Sequence, residues 1–368
     1  MNIKVCHVTS VHPWNDGRIF RKECTSLAKK YEVFLIAPNV EEKVINNVHI
    51  KGVELSRSMI RRLGQLGRVL KEMKNVNADI YHLHDPELIS LGIKLKKRGK
   101  VVIYDSHEDT PSDIALKPYL PKWFRVSLSK IYSLYEKNAL KNFDALITVT
   151  PSIVERLKTI NINTIQVTNY PLYQDLSQGR SFERNICFAG GVSASWMHGN
   201  IIDSLSKIDV HYNIAGPAKN EYIKFLSQKS NWSKVSYYGV IDHSKVIDLY
   251  HQSIAGMALY DYNGYLGTEG TLGNTKIFEI MQAGIPVIAT DFRLWKEIVN
   301  KYNCGICVNP RNVTDIENAI NYLLNNPEVA RKMGDNGVVA FKDEFNWNTQ
   351  EIILFDVYHK LLINILSL

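Results

Sequence analysis

Two charged residues, Lys276 and Glu279, stand three positions apart in the stretch NTKIFEIMQAGIPVIATD. On a helix that spacing puts both side chains on one side, with the glutamate about one turn deeper. A lysine in the first turn can neutralise phosphate together with the positive end of the helix dipole, and a carboxylate behind it can accept hydrogen bonds from a ribose diol. On a bare surface helix the same two residues would be a solvated ion pair. Gly264, Gly267, Gly270 and Gly273 precede a helix that begins near Asn274, and they let backbone N–H groups come close to a ligand. Phe278, Met281 and Ala283 supply an apolar face, and IPVIAT has the β-branched composition of a strand covered on both sides. Lys276 is therefore expected at the carboxyl edge of a sheet, where open α/β folds take their ligands.

Other chemically capable residues also fall at predicted strand ends. His107 follows the strand VVIYD in DSHEDTP, and beside Glu108 and Asp109 it reads on its own as a surface residue. His82 and His84 in YHLHDPE share one face of a strand, as metal ligands can, with Asp85 adjacent, but no metal is expected there and His84 and Asp85 read as residues at the cleft edge. Asp16, Gly17 and Arg18 close the loop VHPWNDGR ahead of the helix GRIFRKECTSLAKK. That is an anion-friendly position, or else a capping aspartate in a flexible turn. Thr150-Pro151-Ser152 reads as a helix cap. Cys304 and Cys307 fall in a strand with no second cysteine pair, and five cysteines form an odd set; neither zinc nor a disulfide framework is expected.

Positioning these groups requires parallel sheets. Strand and helix patterns alternate through the chain, with strands near 2–9, 31–37, 79–84, 100–105, 143–149 and 164–168 in the first half. The second half has them near 186–190, 210–215, 234–239, 254–260, 285–290 and 304–308. The polar segment YPLYQDLSQGRSFERN reads as a linker, and residues 346–366 as a long amphipathic helix. The expected division is a first domain over 1–170, a second over 171–345 and the closing helix over 346–368. A chain of 368 residues with 45% hydrophobic and 22% charged residues is comfortable as two domains and excludes disordered and fibrous classes. The net charge of +7 favours anionic partners. Basic residues punctuate two amphipathic segments, 57–74 (Arg57, Arg61, Arg62, Arg68, Lys71, Lys74) and 117–130. In the latter, Lys117, Lys122, Arg125 and Lys130 accompany Tyr119, Trp123 and Phe124, a mixture that suits either an anionic lipid surface or a solvated helix face. No apolar run reaches the length of a spanning helix and the N-terminus reads as a strand, so a cytoplasmic protein is expected, with peripheral contact at the inner membrane face. The basic residues are dispersed and form no recognition module, so nucleic acid is not an expected partner.

The segment NTKIFEIMQAGIPVIATD closely resembles the donor-site motif of the family-4 retaining glycosyltransferases, enzymes of the GT-B fold that use sugar nucleotides. The resemblance implies an α/β GT-B architecture of two Rossmann-like domains facing a central cleft, the C-terminal helix crossing back to the first. It implies catalytic roles for His107, facing the transferred sugar, and for Lys276 and Glu279. Asp16, Gly17 and Arg18 would lie under the donor phosphate, Gly216 and Val240 around the base, and Asn274 and Thr275 against the donor. Two departures stand out. Relatives carry a glutamate eight positions before Glu279, where this chain has Thr271, so Thr271, Glu269 or backbone amides would replace it. Relatives also place basic residues after FAGG, where this chain has VSASWMHGN, leaving His198 as the nearest candidate cation. The implied reaction is metal-independent transfer of a hexose from a nucleoside-diphosphate sugar, UDP foremost, to a glycan or lipid-linked hydroxyl in surface-polysaccharide assembly. No cofactor is implied beyond the nucleotide-sugar substrate. A non-catalytic nucleotide- or glycan-binding subunit and a nucleotide-sugar epimerase are the alternatives.

Overall fold

The computed structural model describes residues 3–117, 120–176, 178–262 and 267–366. Gly264 and Tyr119 lie outside these described residues. The chain divides into two compact units, Met1–Asn169 with Gln350–Leu368, and Tyr170–Thr349.

The first unit is built on an eight-stranded sheet: β1 Lys4–Val8, β2 Glu32–Pro38, β3 Lys43–Ile45, β4 Val48–Val53, β5 Ile80–Leu83, β6 Val101–Ser106, β7 Ala145–Thr148 and β8 Thr164–Gln166. Their order is β3-β4-β2-β1-β5-β6-β7-β8. The sheet is parallel except at β3, which runs antiparallel to β4. Sequence reading passed over β3 and β4, although VINNVHI carried their signal. Asn46 and Asn47 both take positive φ, 52° and 60°, as a two-residue hairpin turn requires. The helix Trp347–Leu366 enters this unit from Gln350 onward, where the Tyr358 hydroxyl lies 2.9 Å from Nδ1 of His82.

The second unit has six parallel strands: β9 Asn185–Ala189, β10 His211–Ala215, β11 Val235–Tyr237, β12 Ala255–Ala258, β13 Val287–Thr290 and β14 Gly305–Val308. Their order is β11-β10-β9-β12-β13-β14. β12 and β13 are buried at every position, as strands roofed by helices on both faces must be. The helix Lys276–Ala283 buries Ile277, Phe278, Ile280 and Met281 and stops at Gly284, whose φ of +72° is the usual left-handed helix ending. In each sheet the strand order reverses beside the first strand of the unit, β1 or β9. The carboxyl ends of those two strands are the switch points where such sheets place ligands.

Candidate functional site

In the second unit, three strand ends form one connected ledge. Gly190 N–H donates to Ala215 O at 2.9 Å, Val192 N–H to Pro217 O at 2.9 Å, and Gly216 N–H to Gly239 O at 2.7 Å. Gly216 has φ +131°, and a Cβ there would come 1.8 Å from Gly190 O, so these turns touch backbone to backbone. The Lys276 side chain lies across the ledge, with its Cε 2.6 Å from where a Cβ on Gly190 would stand. Lys276 is paired with Glu279, and Glu279 Oε1 accepts from the Thr275 hydroxyl at 2.5 Å. Asn274 Oδ1 accepts from Lys276 N at 3.2 Å, and Thr275 O takes the N–H groups of Phe278 and Glu279. Lys276, Glu279, Asn274, Thr275 and Gly216 are thus built into a single structure at the β9 switch point. Val240, at the end of the third turn, is 77% exposed, as a residue offered to a flat ligand would be.

The loop ahead of this helix is tied down on its far side. Arg293 Nε donates to Glu269 Oε2 at 2.7 Å, and Arg293 N–H bonds Thr268 O. Thr271 Oγ1 accepts from Gly273 N at 3.0 Å, while Thr271 O accepts from Trp295 Nε1 at 2.8 Å. Glu269 is therefore engaged with Arg293, whereas Thr271 braces the turn into the helix.

His198 corrects the sequence reading. It starts the helix His198–Ser204 but is wholly buried, packed on the edge of Phe188, with Nδ1 2.9 Å from the Tyr212 hydroxyl. Burial lowers its pKa to about 3, so it is neutral and adds no phosphate-binding charge. Its ring behaves as an aromatic core residue with one polar partner.

In the first unit, Arg18 is also not where the sequence reading put it. Its guanidinium is buried and forms a two-pronged pair with Asp105, Nε to Oδ2 at 2.9 Å and Nη2 to Oδ1 at 3.0 Å, while Nη1 donates to Val167 O at 2.8 Å. Arg18 Nε also lies 3.0 Å from Glu23 Oε1. A charge held this tightly by two carboxylates serves the interior, not a phosphate in solvent. Asp16 takes the capping role: its Oδ1 accepts from Arg18 N at 2.8 Å and Ile19 N at 2.9 Å, opening the π-helical segment Ile19–Cys24. Gly17 is exposed beside it.

His107, just past β6, keeps 20% of its side chain exposed and places Nε2 3.3 Å from Asp105 Oδ2 and 3.3 Å from His84 Nδ1. The His12 ring stands 5.2 Å away. Burial opposes ionisation of Asp105, yet Arg18 and His107 hold its pKa well below the ordinary carboxylate value. An anionic carboxylate therefore backs the partly exposed imidazole. The sequence reading missed Asp105, whose signal was a lone acid in the otherwise apolar strand VVIYDS. A pocket of about 320 Å³ opens over His107, His84, His12 and Asp85. It adjoins one of about 440 Å³ lined by Met59, Leu63, Ile114, Tyr132 and Tyr135, the two sharing Val11, Asp85, Pro86 and Thr110. All five cysteines are free, and burial raises Cys304 and Cys307 to about 12, which removes them from thiolate chemistry.

Residues 18–168 match the family model described as Glycosyltransferase Family 4, and residues 198–338 match that of Glycosyl transferases group 1. No curated protein sequence matches the chain. Among solved structures, sucrose-phosphate synthase from Thermosynechococcus elongatus is similar over 99% of this chain and 100% of its own, with a TM-score of 0.74 at 15% identity. WaaG, a glycosyltransferase involved in lipopolysaccharide biosynthesis, gives 0.68 at 13% identity over 96% of this chain and 99% of its own. HepE of Anabaena, solved with UDP and glucose, gives 0.67 at 14% identity over the full length of both chains. With a glycosyltransferase family model matched in each unit and the architecture shared along the chain, this protein is a glycosyltransferase of the GT-B fold.

Proposed function

We propose that the chain transfers a hexose, with retention of anomeric configuration, from a UDP-sugar to a hydroxyl of a glycan or lipid-linked acceptor in surface-polysaccharide assembly. The observation that carries this reading is Lys276 laid across the Gly190 turn, beside Glu279 at the start of a helix and at the switch point of the second sheet. A diphosphate on this ledge would meet one ammonium and the positive end of a helix, while Glu279 would accept from the ribose hydroxyls. Asp16 and Gly17, at the head of the π-helical segment, would offer an anion a turn of the first unit. UDP is favoured because HepE, of the same architecture, is seen with it. His107, backed by Asp105, would hydrogen-bond a hydroxyl of the transferred sugar. Stabilising the departing diphosphate and holding the acceptor on the face it leaves supplies the catalysis without a side-chain nucleophile or a catalytic metal.

A lipid-linked acceptor is supported by the first unit. The helix Lys122–Leu140 leaves Trp123 73%, Ile131 64% and Leu134 63% exposed, next to Lys122, Arg125 and Lys130. The apolar pocket of Met59, Leu63, Ile114, Tyr132 and Tyr135 leads from that helix towards His107. No helix among the described residues is long and apolar enough to cross a membrane. Contact with the inner membrane face would then be peripheral.

The test is incubation with a panel of nucleotide sugars, with and without polyprenyl-diphosphate-linked glycans. The expected result is UDP release that depends on acceptor, with a product retaining the donor's anomeric configuration. Saturable binding without turnover under every condition would leave a binding protein, and sugar interconversion without acceptor would mean an epimerase.

A further inference from the structure

Behind His107 lies a cluster of ionisable side chains that the transfer reaction does not use. His7 and His82 are paired in register on the neighbouring strands β1 and β5, and His84 follows two residues on, so parallel pleating turns all three to one face. Glu23 covers that face from the π-helical segment, whose bond from Glu23 N to Arg18 O carries both residues inward. All four are buried, and each offers one ligating atom within 4.8 Å of the others. His7 Nδ1 and His84 Nε2 are 2.9 Å apart, and Glu23 Oε2 is 3.8 Å from each. For comparison, ligands about 2.05 Å from a tetrahedral zinc ion stand about 3.3 Å from one another.

The outer nitrogens are already committed. His82 Nδ1 is 2.9 Å and His7 Nε2 3.3 Å from the Tyr358 hydroxyl, and His84 Nδ1 lies 3.5 Å from Asp105 Oδ2. His7 Nδ1 and His84 Nε2 share one proton in a hydrogen bond; once a metal displaces it and protons stand on the outer nitrogens, the lone pairs of His7 Nδ1, His82 Nε2 and His84 Nε2 all face the interior of the cluster. This is the arrangement by which metal-binding histidines are oriented. His82 Nε2 and Glu23 Oε2 have no hydrogen-bond partner among the described residues, although both are fully buried. Native interiors rarely leave such atoms unsatisfied. Glu23 Oε1 lies 3.0 Å from Arg18 Nε, whose hydrogen bond goes to Asp105 Oδ2, so it too lacks a hydrogen-bond partner, while Oε2 is 3.8 Å from two of the imidazoles.

We propose that His7, Glu23, His82 and His84 form a buried four-ligand site for a divalent transition metal, with zinc the best match to three imidazoles and one carboxylate. Four protein ligands leave no open position, so the role is structural. The ion would tie β1, β5 and the π-helical segment together and fix the tautomer of His84, whose Nδ1 faces His107.

The experiment uses the full chain, produced in zinc-supplemented medium and, separately, unfolded with chelator and refolded with zinc or cobalt(II). Native mass spectrometry should show one zinc per chain. The cobalt form should show the intense visible bands of tetrahedral coordination, and either metal should raise the melting temperature. His82→Gln and Glu23→Gln should abolish stoichiometric binding. Tyr358→Phe, which keeps the packing and removes only the outer contact, should weaken affinity by about 10- to 100-fold. Failure of the wild-type chain to take up either metal by both routes would overturn the proposal. So would uptake that His82→Gln and Glu23→Gln leave unchanged, or a cobalt spectrum of octahedral type. If the ligand variants do not fold, the wild-type cobalt spectrum and the Tyr358→Phe affinity decide the matter. Neither readout depends on glycosyl transfer, so the metal site and the transferase reading can fail separately.

Discussion

Lys276 and Glu279 are a case where an ion pair and a binding site use the same two side chains. The pair is partly buried and Glu279 is further held by Thr275, so its geometry persists without a ligand. A diphosphate would then compete with Glu279 for the ammonium, and the two substitutions should separate. Lys276→Ala removes a charge that meets the departing diphosphate, and kcat should fall roughly 100-fold with a smaller change in nucleotide affinity. Glu279→Ala removes the acceptor of the ribose hydroxyls, and UDP affinity should fall about 10-fold or more. Calorimetric titration with UDP, alongside steady-state kinetics, reads both; unchanged values in both variants would remove the site from the ledge. His198 supplies a residue-scale prediction of another kind. Its pKa is about 3 in the folded chain against an ordinary 6.5, so below pH 6.5 the unfolded state binds a proton that the folded state refuses. The histidine's contribution is complete above pH 6.5 and drains away as pH falls towards 3. By about pH 5 the loss is about 2 kcal/mol. Denaturation of wild type and His198→Gln across that window should show a shallower fall in stability for the variant. Parallel curves would mean that His198 titrates normally.

At the scale of elements, the donor ledge depends on close contact between turns. The 1.8 Å approach of a Cβ on Gly216 to Gly190 O cannot be relieved by a rotamer change, because both partners are backbone. Gly216→Ala should therefore push the β9 and β10 turns apart and shift Lys276, lowering UDP affinity at least about tenfold, or ~1.4 kcal/mol. Gly67→Ala, on the helix Met59–Val76, is the control, since a Cβ there meets nothing within 4 Å. Equal UDP affinity in the two variants would show that the ledge does not position the nucleotide. Much of this element was legible beforehand: β-branched runs marked the strands, and glycines at their ends marked the turns. What periodicity could not reveal was which charged residues turn inward. Arg18 and Arg62 look like surface cations in sequence, yet Arg18 meets Asp105 across 87 positions and Arg62 meets Glu87 across 25. His198 looked like a helix-terminal cation, and only the packing of Phe188 and Tyr212 around it shows why it stays neutral. Partnerships between distant strands decide such cases, and no local pattern encodes them.

At the scale of the whole molecule, the excess of basic residues acquires a direction. With Arg62 turned inward, the basic residues most suited to a membrane are Lys122, Arg125 and Lys130, beside the exposed Trp123, Ile131 and Leu134. A solvated basic helix would not expose large apolar side chains in the same stretch, whereas an interfacial helix needs both. Each charge near an anionic surface contributes about 1 kcal/mol, and burying a large apolar side chain contributes about 1.5–3 kcal/mol. The two contributions can be told apart by salt, which screens the first and not the second. Binding to vesicles containing phosphatidylglycerol should therefore weaken but persist as salt is raised. Replacing Lys122, Arg125 and Lys130 with Gln should flatten the salt dependence. Trp123→Ala with Ile131→Ser and Leu134→Ser should lower binding at every salt concentration. All of these side chains are exposed except Arg125, which is half-buried and gives one hydrogen bond to Lys117 O, so the melting temperature should hold in the apolar set and fall only slightly in the basic set. Transfer to a short water-soluble acceptor should be kept while transfer to a vesicle-borne acceptor falls. If neither set changes vesicle binding, the helix Lys122–Leu140 faces solvent and the acceptor reaches the His107 pocket without help from the membrane.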